Sequence, residues 1–231
     1  MSKILFVLTG ATHWTLADGT PHPTGFWAEE AVVPYRALKA AGHEVVVATP
    51  GGVVPAVDRA SLAPEFNGGQ EGADKTARAL EEMTELREPV KLAEVDLDDF
   101  AAVFYPGGHG PMEDLAVDAD SGRLLTATLD SGKPLAVVCH GPAALLAAVR
   151  ADGSNAFAGY RVAAFTNEEE TQGGLAERAK WLLQDRLTEA GVEVQVAEPW
   201  APHLVVDRNL VTGQNPASSA PVAEELLKKL G

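Results

Sequence analysis

The sequence predicts an α/β protein, a three-layer α/β/α sandwich around a mostly parallel sheet. Short apolar runs alternate along the chain with segments of helical period. Several of those runs are apolar throughout, as in strands covered on both faces. At 231 residues and 46% hydrophobic content the chain can bury one substantial core, so residues 1–231 read as a single domain without a linker.

Taken in order, the expected strands are Lys3–Leu8, Glu44–Thr49, Ala101–Tyr105, Leu135–Cys139, Tyr160–Phe165, Val192–Val196 and Leu204–Val211. The expected helices are Phe26–Ala41, Asp74–Arg87, Ser121–Ser131, Pro142–Val149, Leu175–Ala190 and Ala217–Leu230, each bounded at one end at least by Gly, Pro, Ser or Asp. Asp58–Ala77 lacks a clear period and reads as a surface insertion. LVTGQNPAS is expected to turn the chain into the last helix and to serve packing.

Composition narrows the partners. The net charge of -15 repels phosphate backbones and anionic lipid, which argues against nucleic acid and membrane and for a small-molecule partner. The apolar run that starts the chain stops at Thr9 and Gly10, too short for a secretory segment or a membrane span of about 20 residues. Cys139, the only cysteine, excludes an intrachain disulfide and a cysteine-cluster zinc site, and favours a reducing, cytoplasmic setting.

That cysteine stands where a buried strand turns into a helix, in LAVVCHGPAALL. A tight strand-to-helix turn projects its apex residue out of the sheet, and the positive end of the helix stabilises a thiolate there. Gly141 supplies room for the turn, and Pro142 suits a first helical position. Val137 departs from the elbow pattern, which places glycine two residues before the nucleophile. In YPGGHG, at the end of the preceding strand, adjacent glycines let backbone N–H groups approach a ligand, so the Gly108 and His140 N–H groups are the candidate oxyanion hole.

Two carboxylate groups complete the candidate site. Pro34 lies inside the first predicted helix and cannot donate to the carbonyl of Glu30, so a bend is expected there that points Glu30 into the pocket and Glu29 elsewhere. In TNEEETQGG, after a predicted strand, one of Glu168, Glu169 and Glu170 is expected to orient His140, and spacing does not choose among them. His13, His22, His43, His109 and His203 show no paired ligand spacing, so no metal is expected; His13 and Trp14 are placed at the pocket mouth or in solvent.

Together TGFWAEEAVVP, YPGGHG, AVVCHGPAALL, FTNEEET and LVTGQNPAS resemble the ThiJ/PfpI superfamily, whose fold is flavodoxin-like and class I glutamine amidotransferase-like. The branch of glutathione-independent glyoxalases and heat-shock chaperones is the most similar. The resemblance implies Cys139 as nucleophile, His140 beside it, Glu170 as the acid of the triad and Glu30 as the pocket acid. It also implies a homodimer, no cofactor, and conversion of methylglyoxal to lactate through a Cys139 hemithioacetal. A cysteine hydrolase or amidase of the same fold is the enzymatic alternative; a glutaminase is disfavoured because His203 has no glutamate two positions on. A stress-related holdase, with AFAGY at 156–160 as an exposed apolar stretch, and a thiol oxidation sensor are the non-catalytic alternatives.

Overall fold

The fold is described by a computed structural model that covers residues 1–231. In chain order the elements are β1 (Lys3–Val7), β2 (His13–Thr15), β3 (Pro21–Pro23), α1 (Ala28–Ala40), β4 (Glu44–Thr49), α2 (Gln70–Glu82), β5 (Val90–Lys91), β6 (Ala102–Tyr105), α3 (Gly110–Glu113), α4 (Ala119–Ser131), β7 (Leu135–Val138), β8 (Arg161–Val162), α5 (Asn167–Gln172), α6 (Leu183–Glu189), β9 (Glu193–Val194), β10 (Leu204–Asp207), β11 (Leu210–Gly213) and α7 (Ser219–Leu230).

The main sheet runs β10-β11-β7-β6-β1-β4-β5, parallel except for β10, and helices flank it. Its central strands are the continuously apolar runs of the sequence: Ile4–Val7, Ala102–Tyr105 and Leu135–Val138 are all buried. Strand order reverses between β1 and β6, where the carboxyl ends of parallel strands open a crevice. α1 and α7 pack together against the sheet, and the Lys3–Glu44 and Ile4–Ala102 registers fix β1 between its neighbours.

Several elements depart from expectation for local reasons. Tyr160–Phe165 forms a strand only at Arg161–Val162, in a separate two-stranded sheet with β9. Beyond it the backbone turns to other acceptors: Ala163 N–H donates to Thr212 Oγ1 and Phe165 N–H to the Cys139 carbonyl. The expected strand Leu204–Val211 is an antiparallel hairpin that reverses at Arg208, φ 57°. Of Leu175–Ala190 only α6 is α-helical, because the Arg178 carbonyl accepts from Ala17 N–H instead of continuing a helix. The expected helix Pro142–Val149 is a 3₁₀ segment, Gly141–Ala147. The β2–β3 hairpin, bounded by Pro21 and Pro23, gives no strand signal in sequence.

Three functional expectations change as well. α1 passes through Pro34 unbroken, since the only bond lost is to the Glu30 carbonyl in the first turn. Asp58–Ala77 is no mere insertion: Asp58 is buried, accepts from Thr24 Oγ1 and caps the Arg59–Leu62 turn. AFAGY is not an exposed patch, because Ala156, Phe157 and Tyr160 are buried and the Arg208 guanidinium covers the Tyr160 ring at 3.4 Å. No helix is long and apolar enough to cross a membrane.

Candidate active site

Cys139 follows β7 and is one of three non-glycine residues in the left-handed region, with φ 60°. Two backbone bonds hold it there: its N–H donates to the Gly213 carbonyl at 2.9 Å, and its carbonyl accepts from Phe165 at 2.9 Å. Val137 fits where the elbow pattern wants glycine because Gly141 supplies the missing space; a Cβ on Gly141 would lie 3.0 Å from Val137 Cγ1 and 2.8 Å from the Tyr105 carbonyl oxygen.

Glu30 reaches the thiol from the first turn of α1. That turn is pinned by Phe26 N–H to Ala56, Trp27 N–H to Gly107 and Ala28 N–H to Ser61 Oγ. The Glu30 carboxyl is fully buried; Gly107 N–H donates to its Oε2 at 2.7 Å, while Oε1 has no hydrogen-bond partner. Burial pushes Glu30 up to about 8, offset only in part by the neighbouring Cys139 thiol and the Gly107 N–H. Burial also pushes the Cys139 thiol up, and the Glu30 carboxylate adds to it, against the Gly108 N–H that lowers it. Against the expected depression of the thiol by a helix terminus, the following segment is a short 3₁₀ turn, and burial acts in the opposite direction.

His140 stands between the thiol and Glu170. Its Nδ1 is 3.4 Å from Cys139 Sγ and its Nε2 is 2.7 Å from Glu170 Oε2. With Nε2 protonated toward the carboxylate, Nδ1 is left free to accept from the thiol. Burial lowers His140, the nearby His109 adds to this, and Glu170 opposes both. Burial alone would raise Glu170, but His140 and His109 hold its carboxyl well below the usual range. Of the three consecutive glutamates, Glu170 alone meets His140. Glu169 closes a capping box with Thr166 and accepts from Trp200 N–H, Gln214 and Asn215, whereas Glu168 bonds only Gln172.

His109, to which sequence spacing gave no role, is part of the site. Its Nε2 lies 2.8 Å from Glu170 Oε1, its ring centroid 4.1 Å from that of His140, and Trp14 stacks on it at 5.0 Å. The one signal for it was its place in GGHG. His109, His140 and Glu170 bring their ligating atoms within 4.8 Å of one another, a metal-competent trio invisible to sequence spacing. In this arrangement both nitrogens are occupied by hydrogen bonds to Glu170.

The candidate oxyanion donors both belong to residues that line the cavity with Cys139. Gly108 has φ 86°, and the His140 N–H has no partner within the protein. A Cβ on Gly107 would lie 2.6 Å from His140 N and 2.8 Å from Glu30 Oε2, so close approach here requires glycine. Cys139 opens onto a cavity of about 1010 Å³ whose wall includes the 56–66 segment, His22, Glu29 and Trp200. Glu29 thus lines the outer site, contrary to expectation, and His22 rather than the exposed His13 stands at the mouth.

The DJ-1/PfpI family profile matches residues 23–229. The protein/nucleic acid deglycase HchA of Staphylococcus aureus (strain MSSA476) is 31% identical over 228 residues, covering 94% of this chain and 76% of the relative. The structure of glyoxalase III from Candida albicans superposes with a TM-score of 0.84 at 25% identity, covering 99% of this chain and 97% of the other. The Rapid Encystment Protein 24 KDa of Francisella tularensis superposes with a TM-score of 0.88 at 25% identity over 100% of both chains.

Proposed function

The chain belongs to the DJ-1/PfpI family, and on that premise we propose that it is a glyoxalase converting methylglyoxal and similar small 2-oxoaldehydes to 2-hydroxy acids without glutathione. The observation that carries this reading is a protonatable carboxyl, Glu30, buried against the Cys139 thiol. Acyl transfer by a hydrolase needs a nucleophile, a base and an oxyanion hole; it has no use for a second acid at the thiol. Moving a proton between adjacent carbons does.

His140 Nδ1 takes the thiol proton, and the imidazolium is stabilised by Glu170. Cys139 sulfur then bonds to the aldehyde carbon, and the oxyanion accepts from the Gly108 and His140 N–H groups. Glu30, as the carboxylate, removes the hydrogen on C1 as a proton while the His140 imidazolium gives the thiol proton to the C2 oxygen; Glu30 then returns its proton to C2 of the enediolate as the C1 carbonyl forms. The result is a 2-hydroxyacyl thioester on Cys139. Water cleaves the thioester, giving the acid and restoring the thiol. C1 is oxidised and C2 reduced within one molecule, so the atoms balance as aldehyde plus water giving acid.

The Staphylococcus relatives are named deglycases, which supplies a second reading: the aldehyde arrives as an adduct on an amine. The size of the cavity favours this reading, since 1010 Å³ exceeds what a three-carbon aldehyde fills. Net charge argues against a phosphate-backbone footprint only; it does not bear on an amine adduct, so nucleic acid is no longer excluded as a substrate. The holdase reading loses its one support in sequence with the burial of AFAGY. Cytoplasmic placement and a homodimer remain part of the proposal; the lone thiol suits a reducing compartment.

The test is turnover of methylglyoxal by purified, chelator-treated protein in the absence of glutathione, with Cys139→Ser alongside. Lactate from the native chain and none from the variant is the expected result. A folded native chain that alkylates at Cys139 yet makes no lactate would refute the proposal and favour a hydrolase or an oxidation sensor.

A further inference from the structure

Methylglyoxal leaves most of the cavity empty. A volume of about 1010 Å³ lies at the top of the range of about 300–1,000 Å³ that encloses drug-sized ligands. Away from the thiol its wall carries aromatic side chains that the folded chain does not cover: Trp200 is 43% exposed, and Phe66, edge-on to Trp27 at 5.2 Å, is 49% exposed.

Trp200 is held in that position at a cost. Its backbone lies in the left-handed region at φ 64°, unfavourable for a bulky side chain. Its N–H donates to the buried Glu169 carboxylate at 2.9 Å, and its indole N–H to Gln172 Oε1 at 2.6 Å. The ring then meets Phe165 at 5.5 Å, and Phe165 meets His140 at 4.2 Å. An aromatic ladder therefore runs from the base beside the thiol to the rim of the cavity.

We infer that the outer cavity is a specificity subsite for a planar aromatic substituent on the 2-oxoaldehyde, with Trp200 as its determining residue. This rests on the 2-oxoaldehyde reading given above. The dicarbonyl sits at Cys139, and the substituent lies against the Trp200 ring. Glu29 and Glu65 also line the cavity, against Arg59 as the one nearby cation, so a neutral substituent is favoured over an anionic one.

The test compares phenylglyoxal with methylglyoxal. Trp200→Gly removes the ring and accepts the left-handed backbone; Trp200→Phe keeps an aromatic face. The ratio of kcat/KM for phenylglyoxal to that for methylglyoxal is expected to fall about tenfold in Trp200→Gly, chiefly through the phenylglyoxal KM, and to recover largely in Trp200→Phe. An unchanged ratio in Trp200→Gly, or an equal fall in Trp200→Phe, would overturn the inference. If the native chain turns over neither aldehyde, the glyoxalase reading fails and the subsite is tested alone. Acetophenone, which has no aldehyde to react, is then titrated into Cys139→Ser protein and followed by isothermal titration calorimetry. Saturable binding that is lost when Trp200→Gly is added upholds the subsite; no saturable binding overturns it.

Discussion

The Glu30 carboxyl and the Cys139 thiol are buried side by side: burial raises the proton affinity of both, the Glu30 carboxylate raises that of the thiol further, and the thiol in turn offsets part of the rise at Glu30. Two adjacent groups that both resist ionisation each keep their proton at neutral pH. Glu30→Gln separates reactivity from turnover. Above about pH 8, where Glu30 is ionised, removing the carboxylate charge lowers the thiol, so alkylation of Cys139 by iodoacetamide at about pH 9 is expected to speed up, while lactate formation falls by about 10²-fold or more. Slower alkylation in the variant would contradict the coupling.

Glu30 also makes stability depend on pH. It holds its proton in the fold up to about 8, whereas the unfolded chain loses it near the ordinary value of 4.5. The folded state binds more protons across that window, so this contribution is present at low pH and is lost as pH rises through it. The difference in urea midpoint between the native chain and Glu30→Gln is expected to shift steadily against the native chain from about pH 5 to about pH 8. A constant difference would show that Glu30 is ionised throughout.

Glu170 fixes the His140 tautomer by a bond of 2.7 Å. Glu170→Gln presents an amide that need not accept from Nε2, so kcat is expected to fall by about 10³–10⁴ with the fold intact. His109→Ala removes only the second donor to the carboxylate and is expected to lower kcat less. Steady-state kinetics on both variants checks the order.

Gly107→Ala places a methyl 2.6 Å from His140 N and 2.8 Å from Glu30 Oε2. The expected cost is about 1–3 kcal/mol of stability, with loss of turnover. Gly153→Ala, at φ 85° but with nothing within 4 Å of the new methyl, is expected to cost about 1–2 kcal/mol and leave turnover intact. Denaturation and activity measured on both proteins separate backbone strain from crowding of the site.

The turn at Cys139 was legible because strand, apex and glycine are adjacent in sequence and each has a local signature. Pro34 singled out Glu30 for a break the helix does not make; what places Glu30 at the thiol is the set of tertiary bonds that pin the first turn of α1. His109 was not legible, since its bond to Glu170 joins residues 61 apart. The choice among Glu168, Glu169 and Glu170 was also not local: Glu169 is claimed by Thr166, Trp200, Gln214 and Asn215. Trp200 escaped notice because nothing in PWAPH announces that a buried carboxylate holds its backbone left-handed. The strand shortened at Val162 and the helix interrupted at Arg178 failed for the same reason, tertiary acceptors that outcompete the local ladder.

The most direct test of the central claim follows methylglyoxal labelled with ¹³C at the aldehyde carbon by NMR, with glutathione-free protein. An internal transfer from C1 to C2 predicts that the label appears in the carboxylate carbon of lactate, with the Cys139→Ser protein leaving it in the aldehyde hydrate. Label that stays in the hydrate with the folded native chain would contradict the account.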